Sequence, residues 1–346
     1  MNHDSIDGGP SAASLLAVDE VCTDFTTERG QLRAVDGVSL RVSVGETLGI
    51  VGESGSGKSV LMRTIMGLLP RHGVTVAGQA VFDGQDLLGS RRTTRRLWGT
   101  EIAMVFQDPM TSLNPTKRVG QHITESLRYH LRLGRRDAQR EAISLLDQVG
   151  IPDAARRVDQ YPHELSGGMR QRVTIAVAIA CRPRLLIADE PTTALDVTVQ
   201  QQILELLGRL QAERGMAMIL VTHDLGVVAG RTDRVAVMYS GRIIETAETA
   251  ATFADVRHPY TEGLLASIPR ITDASQKALD ALPGRPPDLV ALPDGCRFEP
   301  RCSYATQRCG EVDPPLESDP HGHAVACWHP RGNAPQPHVD TDSGRA

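Results

Sequence analysis

An α/β protein built on a largely parallel sheet is expected from two features of the chain. Short apolar runs recur with helix-spaced segments between them, and a glycine-rich stretch directly follows one of those runs. The runs are "TLGIVG" (47–52), "LLIAD" (185–189), "MILVTH" (218–223) and "RVAVMYSG" (234–241). Each is short and apolar throughout, which suits a strand buried on both faces better than a helix. Between two of them, Ile203, Leu206, Leu207 and Leu210 repeat at helical spacing, and Gly215 is placed to stop that helix.

Composition narrows the class. Of 346 residues, 40% are apolar and 23% charged, the balance of a folded soluble protein. A net charge of −5 gives no reason to expect a nucleic-acid partner. No apolar run approaches the roughly 18 residues that cross a bilayer; "VTIAVAIA" (173–180) is core-sized. Residues 1–14 carry acid where an export signal carries positive charge, and are expected to be a flexible leader in a cytoplasmic chain.

Residues 90–160 are charged and helix-prone, without a convincing strand, and suggest a helical subdomain inserted in the α/β core. After residue 255 the chain turns proline-rich, as in "LPGRPPDLVALPDG", and is expected to form an irregular extension needing a staple.

The chemistry begins at "GIVGESGSGKS". Gly52, Glu53, Ser54, Gly55, Ser56, Gly57, Lys58 and Ser59 form a complete phosphate loop, after an apolar strand and before the helix-prone "VLMRTIMGLL". Glycines let consecutive N–H groups turn inward around phosphate, and the helix start adds partial positive charge. Lys58 is expected on the β and γ phosphates and the Ser59 hydroxyl on Mg²⁺. "LLIADEP" brings Asp189 to a strand end, suited to Mg²⁺, and sets Glu190 beside it to act on the attacking water.

With "LSGGMRQR" (165–172) added, the chain resembles the nucleotide-binding subunit of an ABC (ATP-binding cassette) transporter. The resemblance implies a phosphate-loop cassette over residues 15–255, with a mostly parallel core sheet, N-terminal antiparallel strands and a helical subdomain at about 90–182. It implies head-to-tail cassettes that sandwich ATP, with Ser166, Gly167 and Gly168 of one facing the γ-phosphate on the other. Gln107 in "VFQDP" matches the Q-loop, linking metal and water to a membrane partner; Asp196 in "ALD" matches the D-loop; His223 in "LVTHD" matches the switch histidine. Phe25 stands where the family places an aromatic on adenine, although a core strand would use a phenylalanine equally well. Met169 departs from the family's commoner glutamine.

"GESGSGKSV", "FQDPMTSLNP" and "HPYTEGLLASIP" resemble the oligopeptide/dipeptide importer branch. That likeness implies peptide import driven by ATP, at the cytoplasmic face of the membrane. The implied partners are two integral membrane permease subunits, a homologous second ATPase in a heterodimer, and an extracytoplasmic peptide-binding protein. Import of nickel or a peptide-like siderophore, or a soluble non-transport ATPase, are the alternatives.

Cys296, Cys302, Cys309 and Cys327 crowd the extension (256–332), ahead of a tail at 333–346 expected to be disordered. Their C-x5-C-x6-C-x17-C spacing is neither a zinc ribbon nor a ferredoxin run, and by itself leaves the identity of a four-thiolate site open. The branch resemblance implies a [4Fe–4S] cluster, with Zn²⁺ the alternative and His321, His323 and His329 available for a mixed site. Cys22 and Cys181 read as small buried apolar residues.

Overall fold

The computed structural model describes residues 14–70, 72–89, 91–108, 112–193, 195–268 and 282–332. The expected leader up to residue 13, the tail at 333–346 and Ala194 of the D-loop lie outside them.

Two sheets carry the fold. β1 (Ser14–Thr27) and β2 (Gly30–Ser43) form a long antiparallel hairpin, and β4 (Val74–Phe82) and β5 (Gln85–Asp86) continue that sheet in the order β2-β1-β4-β5. The second sheet is assembled from β3 (Thr47–Val51), β6 (Ile102–Val105), β7 (Leu185–Asp189), β8 (Ala217–Thr222), β9 (Arg234–Tyr239), β10 (Arg242–Glu248), β11 (Glu317–Ser318) and β12 (Ala324–Val325). Its order is β11-β12-β10-β9-β3-β8-β7-β6. β9, β3, β8, β7 and β6 run parallel, and every residue of β3, β7 and β8 is buried, as their unbroken apolar sequences require.

β9 and β10 are joined through Ser240 and Gly241, both at positive φ (44° and 88°), the twist a tight hairpin turn needs. This turn braces the phosphate loop, because the Gly241 N–H donates to the Ser56 carbonyl at 2.9 Å.

The helical stretch after α1 (Lys58–Ile65) carries α2 (Arg91–Leu97), whose Leu97 belongs to the same apolar cluster as Ile65, and then α3 (Val119–His130), α4 (Arg135–Gln148), α5 (Ala154–Arg157) and α6 (Gly167–Ile179). Ile123, Leu127, Leu145, Leu146, Val173 and Ile179 pack together in its interior. The expectation of no strand in this stretch is corrected by β6, whose Ile102, Ala103 and Val105 are buried beside β7. A four-residue edge strand carries too little pattern to stand out after a run of arginines.

The described extension is largely irregular, as expected, but it is tied into the sheet. β12 pairs antiparallel with β10, so the extension continues the core sheet of the cassette. The helix Pro259–Ala266 and the loop at 296–302 deliver Tyr260 and Phe298 into an apolar cluster shared with Val51, Val237 and Tyr239. The rings of Tyr239, Tyr260 and Phe298 meet at centroid distances of 4.6, 5.3 and 5.5 Å. Such contacts contribute about 1 kcal/mol each beyond their burial. A charged seam reinforces the junction: Asp36 of β2 accepts from Arg297 and, at 2.8 Å, from Arg242, which also binds Asp313.

Candidate nucleotide-binding site

The phosphate loop closes between β3 and α1. A Cβ at Gly52 would lie 2.1 Å from the Met238 carbonyl oxygen. One at Gly57 would lie 2.3 Å from that of Ala34, and Gly57 also has φ 101°. Both positions therefore exclude any side chain. Lys58 begins α1 and is buried, and its ammonium donates to the carbonyls of Gly52 (2.6 Å) and Glu53 (2.9 Å). Burial pulls its pKa down, against the pull of Glu190 and Asp189. The loop's own oxygens thus hold the cation.

Ser59 donates from its hydroxyl to Asp189 Oδ1 at 2.8 Å, joining two of the three predicted Mg²⁺ ligands across 130 residues of chain; the third, Gln107, turns its amide to Glu190. Oδ2 of Asp189 is buried with no hydrogen-bond partner. Burial raises the Asp189 pKa, and the Ser59 hydroxyl opposes that rise. An orphaned carboxylate oxygen beside a serine hydroxyl, with a phosphate cradle adjoining, is a donor set that fits a hard divalent cation.

Glu190 directly follows β7, at φ 46°, a left-handed conformation that side chains rarely adopt and that recurs at functional sites. Its Oε2 accepts from the Gln107 amide (3.0 Å) and the Thr193 hydroxyl (3.0 Å), and lies 3.4 Å from Nδ1 of His223. Oε1 stands 3.9 Å from the Lys58 ammonium. The hydrogen bond with His223 is the main cause of a lowered Glu190 pKa, and the same bond raises that of His223. Catalytic candidates spread over residues 58 to 223 thus meet at one carboxylate. Thr193 joins them without a motif to announce it; its position three residues after Glu190 is the one local signal.

Ser166 caps α6, accepting from the Met169 N–H at 3.4 Å, so "SGG" opens a helix as its composition predicts. Asp196 caps α7 (Val197–Arg214) in the same way, accepting from the Val199 N–H at 2.9 Å. The two helix starts touch, for a Cβ on Gly168 would lie 2.6 Å from Val199 Cγ1. Phe25 is half-buried on β1, opposite Leu32 and Val74.

Glu53 faces an unforeseen partner. Its carboxylate takes both guanidinium NH groups of Arg301, at 2.6 and 2.9 Å, and its N–H donates to the Tyr260 hydroxyl at 2.7 Å. Both partners belong to the extension.

Cys296, Cys302, Cys309 and Cys327 line one small cavity with Phe298, Tyr304 and Trp328. All six cysteines of the chain are free thiols. Burial pushes Cys296 up to about 11 and Cys327 up to about 12. Among the described residues, no three His, Cys, Asp or Glu side chains are gathered as a metal-ion site. The thiols converge on one cavity but are not preassembled around a single ion. His323 is withdrawn from any mixed site, because its Nε2 is buried against Glu245 at 2.8 Å. His329 stays beside the thiols, its N–H donating to Cys327 Sγ at 3.4 Å, whereas His321 is exposed. Cys181 is buried as expected; Cys22 is half-buried and accepts from the Gly37 N–H at 3.1 Å.

Comparison with known proteins agrees with this geometry. A family model described as ABC transporter matches residues 35–193, and one described as oligopeptide/dipeptide transporter, C-terminal region, matches 244–309. The chain is 50% identical to the dipeptide transport ATP-binding protein DppD of Escherichia coli, over 94% of this chain and 99% of that one. It is also 50% identical to the oligopeptide transport ATP-binding protein OppD of Bacillus subtilis, over 93% and 90% respectively. The post-hydrolysis dimer of the ATP-binding cassette MJ0796, bound to ADP and Pi, superposes with a TM-score of 0.61 at 26% identity, over 68% of this chain and 98% of that one. Among the described residues, no helix is long and apolar enough to cross a membrane.

Proposed function

This chain belongs to the ABC transporter family of ATP-binding subunits, and from that premise we propose that it hydrolyses ATP to power import of di- and oligopeptides. The observation that carries this reading is the union, in one chain, of a complete phosphate-loop site and the peptide-transporter C-terminal region.

The residues support a specific course of reaction. N–H groups of the loop receive the phosphates, and Lys58 exchanges the Gly52 and Glu53 carbonyls for phosphate oxygens. Ser59 and Asp189 are the residues to hold Mg²⁺, which when bound neutralises charge on the phosphates. Glu190, kept ionised by its donors, accepts a proton from water as the water oxygen bonds to the γ-phosphorus. The bond from that phosphorus to the bridging oxygen breaks, and ADP leaves with the electron pair. His223 and Gln107, both in contact with Glu190, would turn toward the γ-phosphate. Ser166, Gly167 and Gly168 of a second cassette close the other side, with Asp196 linking the two sites and Phe25 available to adenine.

In this reading the second cassette is a homologous ATPase, in keeping with the Met169 form of the "LSGGM" motif. The pair sits at the cytoplasmic face under two permease subunits served by an extracytoplasmic peptide-binding protein. Tagged protein purified from membranes should bring down two multi-span proteins and a second cassette, with ATP hydrolysis stimulated by peptide-loaded binding protein. Recovery of soluble partners alone would refute transport; stimulation by nickel or a siderophore in place of peptide would refute the substrate.

The four-cysteine cavity is proposed to hold a [4Fe–4S] cluster, supported by four free thiols around one space. Cys296, Cys302, Cys309 and Cys327 would supply the four thiolates. Anaerobically purified protein should contain about four irons and four sulfides per chain. About one zinc with no sulfide would assign the cavity to Zn²⁺ instead.

A further inference from the structure

Glu53 puts a carboxylate into the loop that must accept a triphosphate. Left unpaired, it would oppose the incoming polyanion. Arg301 takes both of its oxygens and cancels that charge. The Arg301 side chain is only 3% exposed, and its guanidinium lies 5.7 Å from the ring centre of Tyr239 and 5.8 Å from that of Phe298. Its Nε donates to the Pro283 carbonyl at 2.8 Å, so the fork is fixed in direction. Tyr260 holds the same glutamate through its backbone N–H. The Glu53 carbonyl in turn accepts from the Lys58 ammonium. A continuous path therefore runs from the extension through Arg301 and Glu53 to the phosphate-binding lysine, between residues 248 positions apart in sequence.

We infer that Arg301 is a positioning residue for ATP, through which the C-terminal extension sets the nucleotide affinity of its own cassette. Arg301 touches no reacting atom; it acts by neutralising and orienting Glu53. Cys302 follows it directly, so the state of the thiol cavity bears on the clamp through one peptide bond.

The test measures KM for ATP and kcat on the full chain in its transporter complex, with Mg²⁺ present. Arg301→Ala should raise KM for ATP about tenfold with a smaller change in kcat, the pattern of lost binding rather than lost chemistry. Adding Glu53→Gln to Arg301→Ala should bring KM back to within about threefold of the parent, because the carboxylate left unpaired is what repels ATP. Arg301→Lys should fall between, having the charge without the fork. A KM for Arg301→Ala within about twofold of the parent overturns the inference, as does a raised KM that Glu53→Gln fails to relieve. The latter would reduce Arg301 to a fastener of the extension. Should Arg301→Ala not assemble, Glu53→Gln alone decides. With an uncompensated cation beside the loop its KM for ATP should fall, and an unchanged or raised value overturns the inference.

Discussion

Nδ1 of His223 lies 3.4 Å from Oε2 of Glu190, so the two side chains are engaged with each other. The Gln107 amide and Thr193 hydroxyl converge on the same oxygen. A carboxylate so supplied with donors stays ionised and cannot swing freely, which suits a base that must meet one water.

Glu190→Gln should lower ATP hydrolysis by about a hundredfold or more, the loss expected for a general base. ATP affinity should stay within about twofold, since Lys58 and the loop N–H groups are untouched. Equilibrium ATP binding and steady-state phosphate release on the same preparation separate the two. Normal hydrolysis in the assembled complex would remove Glu190 from the mechanism.

The orphaned Oδ2 of Asp189 leads to a second expectation. Asp189→Asn should raise the Mg²⁺ concentration for half-maximal activity by about tenfold or more. The nucleotide-free protein should melt no lower, because the change removes a buried charge that lacks a partner on that oxygen. A lowered melting temperature with an unchanged Mg²⁺ requirement would make Asp189 a structural residue.

Gly168 lies where α6 and α7 begin, against Val199. Gly168→Ala should push the two helix starts apart and lower hydrolysis by about tenfold or more, as small misplacements of catalytic groups do. Binding of ATP to the chain's own loop should be unaffected. Val199→Ala in the same chain should recover most of the activity by making room for the added methyl. Failure of that rescue would mean that the glycine is needed for backbone approach to phosphate rather than for packing.

Range and pattern decide which of these features the sequence reveals. β3 and β7 are legible because a buried parallel strand is an unbroken apolar run, and Glu190 because it directly follows such a run. β6 is not, being four residues without punctuation, nor are β11 and β12 at two residues each. The roles of Ser166 and Asp196 as helix caps are local and can be read from their neighbours. The Glu53–Arg301 pair joins residues 248 positions apart, and one sequence carries no signal for such a contact. For the same reason His323 reads as a possible metal ligand, whereas Glu245 of β10 claims it.

The seam between extension and cassette should respond to pH. His258 caps the helix Pro259–Ala266, its Nδ1 accepting from the Tyr260 N–H at 3.0 Å, an arrangement that requires the neutral ring. Burial pulls its pKa down to about 4, below the roughly 6.5 of an exposed imidazole. The unfolded chain therefore takes up this proton first, and stability contributed by neutral His258 is complete above pH ~6.5 and lost progressively toward pH ~4. Glu245 acts in the same direction at lower pH. Burial pushes its pKa up, but donors including His323 and the Arg257 N–H more than offset that and hold it below the ordinary carboxylate value. Its contribution is present above pH ~4.3 and lost on further acidification. Thermal midpoints of the full chain should thus fall as the pH drops below about 6.5. His258→Asn keeps an acceptor at the helix start and removes this titration, so its midpoints should fall less steeply than the parent's between about pH 6.5 and 4.5. An equally steep fall in the His258→Asn chain between those values would place the acid-sensitive group elsewhere.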